Sequence, residues 1–365
     1  MMEIKRNKDT YTGPKIFLKR LFQTNKIPKN VNICNPDNHS VGQAKKNKAN
    51  DQILIARLDG LYLYRFTVKE IFGFLGQRGY LGYKENNAGK SIEPSRYLTI
   101  AINKRLNKNI NWLIRNSNGV IFQSQFSKTL ADKFLETSNL KNFAIINNGV
   151  SLDEYSPSLN ENKWKNSFPN LLISASSYRP IKRLAEAIKL VNSLSKNYPK
   201  ICLHVLGNIN KEVKEELVSL DVSKCIFHGK ITLDNLPSFY SSCDLQLHLC
   251  PLDPCPNVVV EGLASGLPVV TPKESGAYEL IQYQEGWSIE ENIEIDYYEN
   301  HRPWVAPTIN LSSYEEKIIP LIENIDQNKE LARDIAEKYL NIDYISSKYV
   351  DFINEVIGRS NEEII

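Results

Sequence analysis

The sequence predicts an α/β protein made of two parallel-sheet units in series. Three observations carry that prediction. Short apolar runs alternate with amphipathic stretches of helical spacing, the pattern of strands joined by crossover helices. The pattern gives way to polar, loop-like text around residues 148–169 and then starts again. Charge divides at the same place: residues 1–150 hold 25 Lys/Arg against 10 Asp/Glu and residues 151–365 hold 20 against 32, although the whole chain is only +3. A length of 365 residues suits two domains.

The elements follow in order. TGPKIFLKRLFQ (12–23) reads as a helix with Pro14 in its first turn, where a missing N–H does no harm. QILIARLDG (52–60) is a buried strand closed by Asp-Gly, and GVIFQS (119–124) and FAIINNG (143–149) are strands of the same kind. NKRLNKNINWLIRNS (103–117) reads as a helix, basic on one side. After the loop come strand NLLISAS (170–176), a helix from Pro180 to Leu194 with Leu184, Ala187, Ile188, Val191 and Leu194 on one face, and strand ICLHVLG (201–207). CIFHGKI (225–231) is a strand, LPSFYSSC (236–243) a short helix and DLQLHLCP (244–251) a strand. The stretch from Ser312 to Ile357 is mostly helical and acidic. The expected domains are 1–155 and 156–340, with 341–365 as a terminal helix.

Composition excludes several classes. No apolar run reaches the roughly 18 residues that a membrane span needs, and the N-terminus has no apolar signal region. Six cysteines without a CxxC pair read as free thiols in a reducing compartment, and no metal site is expected. The location implied is cytoplasmic. The basic half suits a phospholipid surface, a phosphorylated substrate or a solvated face. Nucleic acid is not expected, because no recognition motif is present.

Ligands of open α/β sheets bind beyond the carboxyl ends of the strands. Lys182 and Arg183 follow NLLISAS at a helix start, either as an exposed basic turn or as an anion site. In PLDPCPNVVVEGLASGLPVVTP (251–272), Asn257 is the expected N-cap of a helix with Val258, Val259 and Val260 in its first turn, and Gly266 its C-cap. Glu261 lies one turn inside, as a surface acid or as an acceptor for hydroxyl donors.

Together these motifs resemble the retaining glycosyltransferases of family 4, whose architecture is GT-B, two Rossmann-like domains around a cleft. Asp253-x7-Glu261 followed by GLASGLPVV is similar to the family's E-x7-E element. SYRPIKRL, FHGKI, SGAYELI, INNGVSLDEYSP and FQSQFSKTL resemble further family elements, and TGPKIFLKRL the first βα element. The resemblance is strong over about residues 117–282 and weaker before them. It implies a glycosyltransferase of hexosyltransferase type with no cofactor beyond a nucleoside diphosphate sugar as co-substrate, and no metal requirement. The acceptor would be a glycan, a lipid-linked molecule or another acceptor. The setting would be surface polysaccharide or glycoconjugate synthesis at the inner face of the membrane.

It also implies roles. Lys182 and Arg183 contact the donor diphosphate, with Ser177 at the neighbouring position. Gly229 and Lys230 meet the base, Asn257 and Val258 meet phosphate or sugar, and Glu261 binds the ribose. Asp253 faces the donor sugar, and Asp253 and Lys182 are the catalytic candidates. Gly13 permits close approach on the acceptor side. The family's N-domain histidine has no counterpart; the strand end ARLDGLY offers Arg57 or Asp59, of which Asp59 is the acceptor-side candidate. The rival readings are a non-catalytic sugar-nucleotide-binding protein of the same fold and a GT-B nucleotide-sugar epimerase.

Overall fold

A computed structural model describes residues 13–47, 52–58, 107–135, 137, 138, 140–159, 164, 166–293 and 307–362. Asp59 and most of the 292–307 stretch lie outside them. The described residues form two sheets. The first has the order β1 (Val31–Cys34), β2 (Ile53–Leu58), β3 (Gly119–Phe122), β4 (Phe143–Ile145), with all pairs parallel. The runs read as strands supply β2, β3 and β4. β1 is an addition: VNIC offers only two strongly apolar positions, and its partner β2 recruits it.

The second sheet has the order β10 (Ser288–Ile289), β9 (Val269–Pro272), β8 (Leu245–Leu247), β5 (Asn170–Tyr178), β6 (Cys202–Ile209), β7 (Cys225–Gly229), again all parallel. In chain order the strands advance one way from β5 through β7. They advance the other way from β8 through β10. The winding therefore reverses between β5 and β8, which opens a crevice at the carboxyl ends of those two strands.

Strand alternation sorts the first core. In β2, Ile55 joins a cluster with Phe17, Tyr349, Phe352 and Ile353, while Leu54, Ala56 and Leu58 join Val41, Ile110 and Ala131 on the opposite face. The C-terminal helix Ile342–Glu362 thus covers the first sheet, although the chain reaches it from the second. The two crossings between the units bond to each other: Val150 N donates to Leu340 O at 2.9 Å and Ile342 N to Val150 O at 3.0 Å. A Cβ on Gly149 would sit 2.9 Å from the Ile345 side chain, so the interdomain Asn-Gly-Val lets the C-terminal helix lie close.

Some boundaries differ from the sequence pattern. The expected helix Pro180–Leu194 is a 3₁₀ turn, Pro180–Lys182, and a helix, Leu184–Leu194, divided at Arg183 in the left-handed region (φ 54°). The acidic C-terminal stretch is three helices, Leu311–Glu323, Ile325–Ile335 and Ile342–Glu362, with a π turn at Ala336–Leu340. None of the six cysteines forms a disulfide. Among the described residues no helix is long and apolar enough to cross a membrane.

Candidate active site

The crevice between β5 and β8 brings together two residues 71 positions apart in the chain. Lys182, in the turn after β5, places its Nζ 2.8 Å from Oδ2 of Asp253, in the loop after β8. About a fifth of each side chain stays exposed (22% and 19%), so the pair lies at the crevice wall and is open to a ligand. Burial disfavours both charges. For Asp253, the Lys182 ammonium and then His248 outweigh burial and hold the carboxyl below its usual range. For Lys182, burial is outweighed by Asp253, and the ammonium is held more firmly than in an ordinary lysine. The turn carries a fixed positive charge and the loop a fixed negative one.

His248 stands behind this pair. Its Nε2 is 3.8 Å from the same Asp253 oxygen, too far for a hydrogen bond, and the atom is buried without a hydrogen-bond partner. Burial, with a smaller push from the nearby Lys182, outweighs the pull of Asp253 and lowers the pKa of His248 to about 4. The imidazole is therefore neutral at physiological pH.

The loop that carries Asp253 is clamped by the next element. Asp253 O accepts from Gly276 N at 2.8 Å and from Ser275 Oγ at 3.3 Å, and Leu252 N donates to Glu274 O at 2.7 Å. A Cβ on Gly276 would lie 1.7 Å from Pro254 O, so only glycine admits this contact. Leu252, just before Asp253, has φ 65°, a left-handed conformation that a branched side chain adopts at a cost of about 1–3 kcal/mol. Thus SGAYELI acts locally as the support that fixes the Asp253 carboxylate.

Two expected placements are corrected. The Arg183 side chain has no exposed surface; its Nη1 pairs with both Glu291 oxygens at 2.8 Å and donates to Leu249 O at 3.1 Å. Glu291 also accepts from Tyr314 Oη at 2.5 Å. Paired there, Arg183 ties β5 to the C-terminal helices instead of standing exposed beside Lys182, and its Nε and Nη2 are buried without a hydrogen-bond partner. Asn257 is not the N-cap: the helix is Asn257–Ala264 with Pro256 at the cap position. The Asn257 amide reaches the other domain instead, donating to Gly13 O at 2.9 Å and accepting from Asn148 Nδ2 at 2.7 Å. At the far end Ser265 is the C-cap, and Gly266 follows it with φ 76° and bonds back to Leu263 O at 3.0 Å.

Val258 is half-buried in the first turn of that helix. Ser177 is exposed near the end of β5, opposite Asn208 of β6. Gly229 closes β7 with φ 67° and open space where a side chain would project, and Lys230 after it is exposed. Gly229 and Lys230 lie at the carboxyl edge of the sheet two strands from β5, whereas Ser177 is on β5 itself and Val258 opens the helix that follows the Asp253 loop.

The opposite wall of the crevice comes from the first domain. Arg57, fully buried at the end of β2, donates to Asn148 Oδ1 at 2.6 Å and to Tyr349 Oη at 3.2 Å. Asn148 continues the chain of contacts to Cys255 O at 3.2 Å. Glu279 accepts from the backbone N–H groups of Gln125 (2.7 Å) and Phe126 (2.6 Å), the start of helix Gln125–Phe134. Glu261, 4% exposed, pairs with Arg20 of helix Gly13–Gln23 at 2.8 Å. Among the described residues the polar contacts between the domains around the rim include Asn257 with Asn148 and Gly13, Asn148 with Cys255, Glu279 with Gln125 and Phe126, and Arg20 with Glu261.

The sequence reading passed over His248, Asn148, Glu279 and Arg20. Two left a signal. His248, like Gln246, is a polar residue in the otherwise apolar run LQLHLCP. Arg20 sits three residues after Phe17 and beside Leu21, on the apolar stripe of its helix, where an exposed cation has no place. Asn148 and Glu279 act through pairings between domains, which no local pattern records.

Residues 158–337 match the family model described as glycosyl transferases group 1. The fold is shared with HepE of Anabaena, crystallised with UDP and glucose: identity is 17%, over 93% of this chain and 81% of that one, with TM-score 0.61. Sucrose-phosphate synthase of Thermosynechococcus elongatus is 12% identical over 95% of this chain and 78% of its own, with TM-score 0.60. The pneumococcal O-GlcNAc transferase GtfA, solved with UDP and GlcNAc, is 14% identical over 95% of this chain and 61% of its own, with TM-score 0.58. No curated protein matches the sequence significantly. The architecture is GT-B.

Proposed function

We propose that this chain, whose second half carries a glycosyl transferases group 1 domain, is a retaining glycosyltransferase. It moves a sugar from a nucleoside diphosphate sugar to a glycan, lipid-linked or other acceptor in the making of a surface polysaccharide or glycoconjugate. The observation that carries the reading is the Lys182–Asp253 pair at 2.8 Å in the β5/β8 crevice of that domain. A firmly charged ammonium at this point can take over the charge that grows on the leaving diphosphate, and the carboxylate beside it can accept from the donor sugar's hydroxyls. Both ride on supports that do not need to reorganise during reaction, the 3₁₀ turn and the Gly276-clamped loop. HepE and GtfA were solved with UDP and a sugar, which supports a uridine nucleotide as the first donor to try.

A thermal-shift screen with UDP-, ADP- and GDP-sugars tests the binding half, since a ligand held only by the native state raises the melting temperature. Following the anomeric proton of donor and product by NMR tests transfer and retention. A donor that binds but is neither hydrolysed nor transferred with any glycan or lipid acceptor leaves the non-catalytic reading in its place.

The acceptor-side domain supports a peripheral membrane contact. Lys15, Lys19 and Lys29 are exposed on or just after the helix Gly13–Gln23, and Phe22 is 46% exposed on it. Each basic residue near an anionic surface contributes about 1 kcal/mol, screened by salt. The expected result is sedimentation with vesicles containing phosphatidylglycerol at low salt and release at high salt. Equal partitioning onto neutral vesicles removes the electrostatic contact.

A further inference from the structure

We propose that Arg20, from the first domain, completes the donor site of the second domain by holding Glu261 ionised and oriented toward the nucleotide's ribose. The inference rests on the reading that Glu261 binds the ribose hydroxyls. Arg20 and Glu261 are 241 residues apart in sequence and belong to different domains, yet Arg20 Nη2 lies 2.8 Å from Glu261 Oε1. Arg20 is 7% exposed and Glu261 4%. The guanidinium also donates to Tyr155 Oη at 3.3 Å and lies 5.2 Å from the centre of that ring, which fixes its plane.

Two features make this more than a strut. The second terminal nitrogen, Arg20 Nη1, is buried and has no hydrogen-bond partner. A buried guanidinium donor left unused is costly, and a hydroxyl oxygen arriving beside Glu261 would satisfy it. The carboxylate also depends on Arg20 for its charge. Four groups face Glu261: Arg20 from helix Gly13–Gln23, Glu154 and Tyr155 from the interdomain segment, and Tyr240 from helix Leu236–Ser241. Burial pushes the Glu261 carboxyl up and Glu154 adds to that; Arg20 is the largest opposing influence. Without Arg20 the carboxyl takes up a proton at a higher pH. A protonated carboxyl offers fewer acceptor sites to ribose hydroxyls than a carboxylate does. The ribose pocket is then complete only when the domains are closed, because its cation comes from across the cleft.

The test measures UDP and 2′-deoxy-UDP binding by calorimetry from pH 6 to pH 9, replacing UDP with ADP or GDP if that is the nucleotide the wild type prefers. In the wild type and Arg20→Lys, affinity should fall less on acidification than in Arg20→Met, with the ribose form preferred. In Arg20→Met, affinity should fall about tenfold or more at pH 6, recover as pH rises, and lose most of the preference over the deoxy nucleotide. An Arg20→Met protein that melts earlier but binds both nucleotides like the wild type, at every pH, overturns the proposal and leaves Arg20 a strut. Glu261→Gln separates the two claims. If it binds UDP and 2′-deoxy-UDP like the wild type, the ribose reading of Glu261 has failed; if it is impaired while Arg20→Met is not, only the role of Arg20 has failed.

Discussion

Lys182→Met is expected to lower donor turnover by about 10²–10³-fold, the scale on which removing a single preorganised charge-stabilising group acts. The loss should appear mainly in kcat, because the need for the ammonium grows as charge moves onto the diphosphate. The variant has a second consequence. Asp253 draws its depressed pKa chiefly from Lys182 against burial, so removing the lysine strands a largely buried carboxylate. Some of any loss in Lys182→Met would therefore be destabilisation. The double variant Lys182→Met/Asp253→Asn isolates it: with both charges gone, thermal stability should return toward the wild type while turnover stays low. Asp253→Asn alone should weaken discrimination among donor sugars and lower kcat, with Lys182 left free for the diphosphate. Full turnover in the double variant would remove the pair from the mechanism.

This site was legible to very different degrees along the chain. The strands β5 and β6 were visible because each carries an apolar run buried on both faces, and such runs declare themselves locally. Glu261 and Asp253 stood out for a related reason: a carboxylate in apolar text needs a partner. Lys182 and Arg183 both follow β5 as the sequence implies, but the partner of Arg183 could not be read there. The sequence shows two adjacent cations. Only the fold shows that the backbone turns left-handed at Arg183 and sends the second cation to Glu291, 108 residues later. The same limit applies to Asn257. Its N-cap chemistry is sound as a local rule, yet Pro256 takes the cap position and the freed amide bridges to Gly13 and Asn148. Local propensity located the elements. The pairings between domains, made by residues more than 100 positions apart, decided what the polar side chains do.

Stability should fall as pH drops from about 6.5 toward 4, through two buried histidines. His248 has its pKa lowered to about 4 by burial, and His204, fully buried in β6, to about 4 by burial and the adjacent His228. His204 Nδ1 lies 3.1 Å from His228 Nε2, its Nε2 lies 3.2 Å from Asn170 Oδ1, and the Trp164 ring lies over it with centroids 4.2 Å apart, so the site has no room to solvate an imidazolium. The sign follows from the pKa order. Between pH 6.5 and 4 the unfolded chain binds a proton at each histidine that the folded chain refuses, so protonation pulls toward unfolding. The contribution is complete above pH 6.5 and is lost progressively below it, at about 3 kcal/mol per histidine. Asp253 adds nothing in this window, because its depressed pKa delays any loss until lower pH. Glu261 and Glu279 oppose the trend: burial raises their pKa, so protonation favours the folded state as pH falls. Urea unfolding at a series of pH values between 7 and 4.5 should give a midpoint that falls steeply with acidification. His204→Gln/His248→Gln should flatten that slope even if it lowers stability at pH 7. A double variant whose midpoint falls as steeply as the wild type would show that other groups carry the acid sensitivity.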